Sequence, residues 1–178
     1  IRRRIQSLKQ QLADVERQRG QRRARWKKDG LSTVAIVGYT NAGKSTLLNT
    51  LTHAGVRAED KLFATLDPTV RALRLPDGRE VLLVDTVGFI RRLPHQLVKA
   101  FRSTLEEAVE ADVILNLCDA ANPEAEEHLA VTQQLLQELG CRADQPVITV
   151  LNKCDIAFTL PYLPAGSNVV RISAITGE

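Results

Sequence analysis

Gly38-Tyr39-Thr40-Asn41-Ala42-Gly43-Lys44-Ser45 is the stretch whose residue types and spacing most directly imply chemistry, because it reads G-x-x-x-x-G-K-S. Glycines at both ends let backbone N–H groups converge on a phosphate chain at a helix N-terminus, whose dipole also favours an anion. In that arrangement Lys44 reaches the terminal phosphates and the Ser45 hydroxyl is a ligand for Mg²⁺. Further polar clusters follow at Asp85-Thr86-Val87-Gly88, Asn152-Lys153-Cys154-Asp155 and Ser173-Ala174. Each of them closes an apolar run.

The elements that must position these residues can be read from periodicity. Ser32 to Val37 (STVAIV) is a buried strand, and Ser45 to Leu51 carries leucines at helical spacing, so strand, loop and helix come in the order the phosphate loop requires. His53 to Thr69 has no strong period and predicts a long functional loop containing Phe63-Ala64-Thr65-Leu66-Asp67-Pro68-Thr69. Thr69 to Leu75 and Glu80 to Val84 flank the turn Pro76-Asp77-Gly78 and predict a β-hairpin that delivers Asp85. A helix is expected over Gln96 to Glu110, with Leu97, Phe101, Leu105 and Val109 on one face. Strands at Val113 to Cys118, Val147 to Leu151 and Val169 to Ile172 alternate with a helix opened by the cap Asn122-Pro123-Glu124 and stopped at Gly140. The expected fold is α/β: a mainly parallel sheet with one antiparallel strand from the hairpin and helices on both faces. Every motif residue then lies beyond a strand's carboxyl end, where open sheets of this kind bind ligands.

Composition bounds the rest. The chain has 178 residues, 44% hydrophobic and 25% charged, enough for one globular domain plus an appendage. Apolar runs are short and broken by charges, and the basic start lacks the apolar core of a signal peptide, so the expected setting is cytoplasmic. Cys118, Cys141 and Cys154 lack C-x-x-C spacing and read as reduced, mostly buried thiols. Residues 1–30 hold 11 Lys/Arg against 3 Asp/Glu, while the remainder holds 13 against 18. The formal charge of +3 therefore hides a basic arm on an acidic domain, 1–30 and 31–178. Within the arm Ile1, Ile5, Leu8, Leu12 and Val15 form a heptad seam that calls for a partner helix upstream of Ile1. Arg17, Arg19, Arg22, Arg23, Arg25, Lys27 and Lys28 follow, with Trp26 among them. They read either as a solvated helix end or as an electrostatic footprint for RNA. With no Met, an opening at Ile1 and a stop at Glu178 where another helix is due, the chain reads as a fragment of a longer protein.

Taken in order, GYTNAGKS, FATLDPT, DTVG, NKCD and SAITGE resemble the translation-factor-like GTPases, and GYTNAGKS, LFATLDPT and DTVGFIRRLPH resemble the HflX family in particular. The resemblance implies a P-loop G domain behind a basic heptad helix, covering essentially the whole chain. It implies that Asp85 holds Mg²⁺ through water and that the Gly88 N–H senses a γ-phosphate, with Ser45, Thr65 and Asp85 as the metal set. The switch threonine is Thr65 or Thr69, which spacing leaves open and the FATLD motif resolves toward Thr65. Asp155 presents two acceptors to the N1–H and amine of guanine, while Asn152 and Lys153 brace the loop and cover the base. The Ala174 N–H is expected to meet the guanine carbonyl, with Ser173, Ile175 and Thr46 beside it; Thr86, Val87 and the segment Phe63, Ala64, Thr65, Leu66, Asp67 complete the nucleotide shell. Phe89 stands where Ras-like enzymes carry a water-orienting glutamine, so GTP hydrolysis to GDP should be slow alone and stimulated by a partner. Asn41 either coordinates K⁺ beside the phosphates, as in the P-loop GTPases this loop resembles, or caps its own loop. Catalysis is accordingly expected from Lys44, Asn41, Thr65 and Gly88. The implied partner is the ribosome or its large subunit with its RNA, and the implied act is dissociation of ribosomes after stress. Two other readings are a GTPase serving an RNA-modification or assembly machine, and an RNA-binding module with a degenerate nucleotide site.

Overall fold

The computed structural model describes residues 2–52, 69–86, 88–89 and 105–178. Ile1–Ser32 and Thr33–Glu178 form two compact units. The first is dominated by one helix, α1 (Arg2–Lys28), with Arg25, Lys27 and Lys28 in its last turn, where cations favour the negative end of the dipole. It stops because Gly30 takes φ 71° and the Leu31 N–H returns to the Trp26 carbonyl at 2.9 Å. Trp26 lies under the Arg22 guanidinium, 4.9 Å from its ring centre, so the lone tryptophan is engaged by a cation within its own helix. Val15, the last residue of the heptad seam, is 43% exposed.

The second unit is built on a six-stranded sheet. Its strands are β1 (Ser32–Gly38), β2 (Thr69–Arg74), β3 (Glu80–Asp85), β4 (Val113–Asp119), β5 (Val147–Asn152) and β6 (Val169–Arg171). Their spatial order is β2-β3-β1-β4-β5-β6. β1, β4, β5 and β6 pair in parallel, and β2 runs antiparallel to β3 with Thr69 opposite Asp85. The hairpin turn expected at Pro76-Asp77-Gly78 is present: Gly78 has φ 87° and the Arg79 N–H donates to Asp77 Oδ1 at 3.0 Å.

Alternation along the strands decides which face each helix covers. Ala35, Val37 and Ile114 point to one face, where they meet Leu105 and Ala108 of the helical stretch 105–110 and Leu136 of α3 (Ala125–Glu138). Ile36, Leu83, Leu117 and Val150 point to the other and meet Leu47 and Leu48 of α2 (Lys44–Thr52). Both faces are therefore apolar, and β1 and β4 read as nearly continuous hydrophobic runs. The opening of α3 differs from the expected cap. The Asn122 side chain accepts the Glu124 N–H at 2.8 Å in a turn, and the helix begins only at Ala125 with no side-chain cap bond. At its other end Gly140, φ 84°, ends the helix as expected, with the Cys141 N–H on the Leu136 carbonyl at 3.1 Å. The cysteines are free thiols, but only Cys118 is buried; burial, with the neighbouring Asp119 carboxylate, pushes its thiol up to about 12.

Candidate functional site

The phosphate loop starts where β1 ends and closes where α2 begins, at Lys44. Its path demands unusual backbone: Asn41 has φ 66° and Gly43 φ 94°. A side chain at Gly43 would run into the Asn152 amide, and one at Gly38 into the Leu117 carbonyl of the neighbouring strand. Both glycines are thus required by close approach as much as by conformation. Ala42 is fully buried, and its carbonyl accepts Asn152 Nδ2 at 2.8 Å. That bond ties the phosphate loop to the end of β5.

Lys44 is 7% exposed, with its ammonium donating to the Tyr39 carbonyl at 3.2 Å and the Gly38 carbonyl at 3.4 Å. Burial pushes its pKa down to about 8, against the pull of the Asp85 carboxylate. The Ser45 hydroxyl donates to Asp85 Oδ2 at 2.8 Å, with Asp85 fully buried at the end of β3. A hydroxyl and a carboxylate converging at one point are hard oxygen donors that suit Mg²⁺, which characteristically takes few protein ligands and completes its shell from phosphates and water. Among the described residues no cluster of three or more His, Cys, Asp or Glu could hold a metal by itself.

Gly88 lies directly against this loop. A Cβ there would come within 2.9 Å of Lys44 Nζ and of Thr40 Cγ2, so any other residue would intrude on the lysine. Phe89 is fully buried, and its backbone joins the loop in a parallel bridge: its N–H donates to Gly38 at 3.0 Å and its carbonyl accepts Thr40 N–H at 2.7 Å. It is a hydrophobic anchor in the core. Thr86 is also buried, donating its hydroxyl to the Ile36 carbonyl at 2.8 Å. It holds β3 to β1 and faces away from solvent.

A second cleft opens beside the loop, lined by Gly43, Thr46, Asn152, Lys153, Asp155, Ile156 and Ser173 to Ile175. Asp155 is exposed there, available to a ligand. Asn152 is buried and braces three segments, since its Oδ1 accepts the Ala174 N–H at 2.9 Å while its amide holds Ala42. The expectation for Ala174 is thereby amended: the N–H assigned to the guanine carbonyl is already bonded, and a base would have to share it. Lys153 adopts φ 64° and donates to Asp119 Oδ2 at 2.7 Å. Asn41 is exposed, with its backbone in the left-handed region at φ 66°. Phe63, Ala64, Thr65, Leu66, Asp67 and Val87 lie outside the described residues, whereas Thr69 is committed to β2.

Two contributors were missed from sequence. Asp119, the acid that ends β4, pairs with Lys153, and its position after an apolar run was a readable signal. His128 stacks on Tyr39 of the phosphate loop, and its only signal was the buried spacing Ala125, His128, Thr132, Leu136 along α3.

Fold and site together define a P-loop domain of the GTPase class. Residues 33–153 match the family model described as 50S ribosome-binding GTPase. GTPase HflX of Lacrimispora saccharolytica is 54% identical over 177 residues, 98% of this chain and 42% of that protein. GTPase HflX of Escherichia coli is 46% identical over 156 residues, 88% of this chain and 36% of that protein. The chain belongs to the HflX family of GTPases. Among solved structures, a GTP-binding protein from Sulfolobus solfataricus in complex with GDP superposes with TM-score 0.62 and 32% identity, covering 84% of this chain and 49% of that one. Era in complex with MgGDPNP and nucleotides 1506–1542 of 16S ribosomal RNA gives TM-score 0.59 and 30% identity, covering 83% and 52%. The chain spans 42% of the length of the Lacrimispora relative, and no helix among the described residues is long and apolar enough to cross a membrane.

Proposed function

We propose that this chain is the nucleotide-handling part of a cytoplasmic GTPase that binds ribosomes or the large ribosomal subunit through its RNA and splits GTP to GDP and phosphate. The observation that carries the reading is the convergence, at one edge of the sheet, of a buried lysine, the Ser45–Asp85 pair and a cleft walled by Asp155. Asp155 selects guanine because two carboxylate acceptors match two donors on that base and face an unfavourable edge on adenine. Lys44 and the loop N–H groups hold the phosphates in place, and Ser45 with Asp85 and Thr65 would hold Mg²⁺, which neutralises charge on the phosphate oxygens when bound. The strand position of Thr69 supports Thr65 as the switch residue, since a threonine locked opposite Asp85 is not free to order on a γ-phosphate.

Phe89, buried in the core, cannot orient an attacking water, so Gly88 and the phosphate loop supply positioning without the usual side chain. Slow turnover alone follows, with stimulation by the partner. Exposed Asn41 would hold K⁺, whose charge would stand where other enzymes use an arginine. The basic helix α1 supplies affinity for RNA, and the family resemblance favours a factor that separates ribosomal subunits after stress.

GTP turnover by the full-length protein, with and without large subunits and in K⁺ or Na⁺ at equal ionic strength, tests this reading. Subunits should stimulate, K⁺ should exceed Na⁺ by about 10-fold or more, and Asn41→Ala should erase the difference between salts. Rates indifferent to subunits would overturn the partner, and rates indifferent to the cation would overturn the role of Asn41.

A further inference from the structure

We propose that His128 is a positioning residue for the phosphate-binding lysine, acting through the ring of Tyr39. The two rings stack with centroids 3.7 Å apart and planes 8° from parallel. Tyr39 is also the residue whose carbonyl accepts the Lys44 ammonium at 3.2 Å. Its peptide is therefore clamped twice: the Phe89 bridge grips the main chain through Gly38 and Thr40, and α3 grips the side chain through His128. Loss of either grip lets the carbonyl, and the ammonium with it, drift from the phosphates.

The helix is built to hold this imidazole still. His128 is 8% exposed, its N–H bonds to the Glu124 carbonyl at 2.9 Å, and its own carbonyl accepts the Thr132 hydroxyl at 2.9 Å. Glu124 Oε2 stands 3.7 Å from Nε2 on the exposed side. The buried positions of α3 read Ala125, His128, Thr132 and Leu136, with polar groups at the middle two. Burying an imidazole where a leucine would fill the same space is unfavourable for packing alone. Stacking on a flat tyrosine ring is something a leucine cannot do.

The inference rests on Lys44 meeting the phosphates of GTP, and Lys44→Ala tests that separately: retained GTP binding and turnover there would overturn the site itself. For His128 the readouts are single-turnover GTP hydrolysis, thermal unfolding, and the Lys44 ¹³Cε resonance, assigned with Lys44→Arg. His128→Ala should slow hydrolysis by about 10-fold and move the Lys44 resonance, because small misplacements of a positioned group are costly. His128→Phe keeps a flat ring and should restore both to within about 2-fold. Tyr39→Leu removes the same stack from the other side, so it should match His128→Ala, and the double variant should lose no more. An unmoved Lys44 resonance in His128→Ala and Tyr39→Leu, or a His128→Phe as impaired as His128→Ala, overturns the proposal. Should His128→Ala fail to fold, Tyr39→Leu and His128→Phe decide it alone.

Discussion

Lys44 and Asp155, proposed to meet opposite ends of one nucleotide, sit in very different surroundings. Lys44 is buried on two backbone carbonyls, its pKa lowered to about 8 by desolvation that the Asp85 carboxylate only partly offsets, so a bound phosphate would add counter-charge that favours the ammonium. Asp155 stands in solvent, and the base selectivity proposed for it would come from hydrogen-bond pattern alone. Asp155→Asn replaces one acceptor by a donor, so GTP should weaken by about 100-fold while a xanthine nucleotide gains. Competitive titration of the two nucleotides checks this, and an unchanged ratio between them would remove Asp155 from the base site. Asn41 and Lys153 are the two non-glycine residues with positive φ among the described residues, and both lie in the loops that meet at this site.

At the scale of elements, the ends of β4 and β5 form one unit. Asp119 is opposite Asn152 in the strand register, and the Ala120 N–H bonds to the Asn152 carbonyl at 2.8 Å. The Asp119 carboxylate accepts Ala121 N–H at 3.0 Å on one oxygen and Lys153 Nζ at 2.7 Å on the other. A carboxylate fixed by its own turn thus pins Lys153 beside the cleft that Asp155 lines. Asp119→Ala should speed GDP release by about 10-fold, the effect of losing one partly buried charge-assisted bond. In a Lys153→Ala background the same change should add nothing, which stopped-flow release of a fluorescent GDP would show. Additive effects would make the ion pair incidental to the base. The expected helix start at Asn122 fails for a related reason: its N–H is held by the Asp119 carbonyl at 3.2 Å and its side chain is spent on a turn at Glu124 before α3 begins.

Across the whole molecule, charge is segregated rather than mixed. The basic run is carried on one continuous helix, α1, and ion pairs such as Arg17–Asp14 at 3.0 Å are exposed and local, contributing little to stability. Such a surface is expressed in association rather than in folding. Neutralising Arg19, Arg22, Arg23 and Lys27 together should flatten the salt dependence of binding to ribosomal particles by up to about 3 in the slope of log K against log salt. Nucleotide affinity should stay as it was. A slope that does not change would return the helix to a solvated arm.

What could be read from sequence alone was whatever local chemistry dictates. Gly38 stands five residues before the consecutive Gly43, Lys44 and Ser45 because a strand-to-helix turn around a phosphate permits little else, and an apolar run such as VAIV or a Pro-Asp-Gly turn needs no partner to be recognised. The sheet with its single antiparallel strand followed from the same signals, and so did the polar residues at strand ends. Contacts between segments far apart in the chain were a matter for the tertiary structure. Asn152 bridges to Ala42 across 110 positions and Lys153 reaches Asp119 across 34, while His128 meets Tyr39 only because the fold brings α3 and the phosphate loop together. A stack or a bridging amide of this kind leaves no period in the sequence, since each partner is an ordinary residue of its own element until the fold brings the two together.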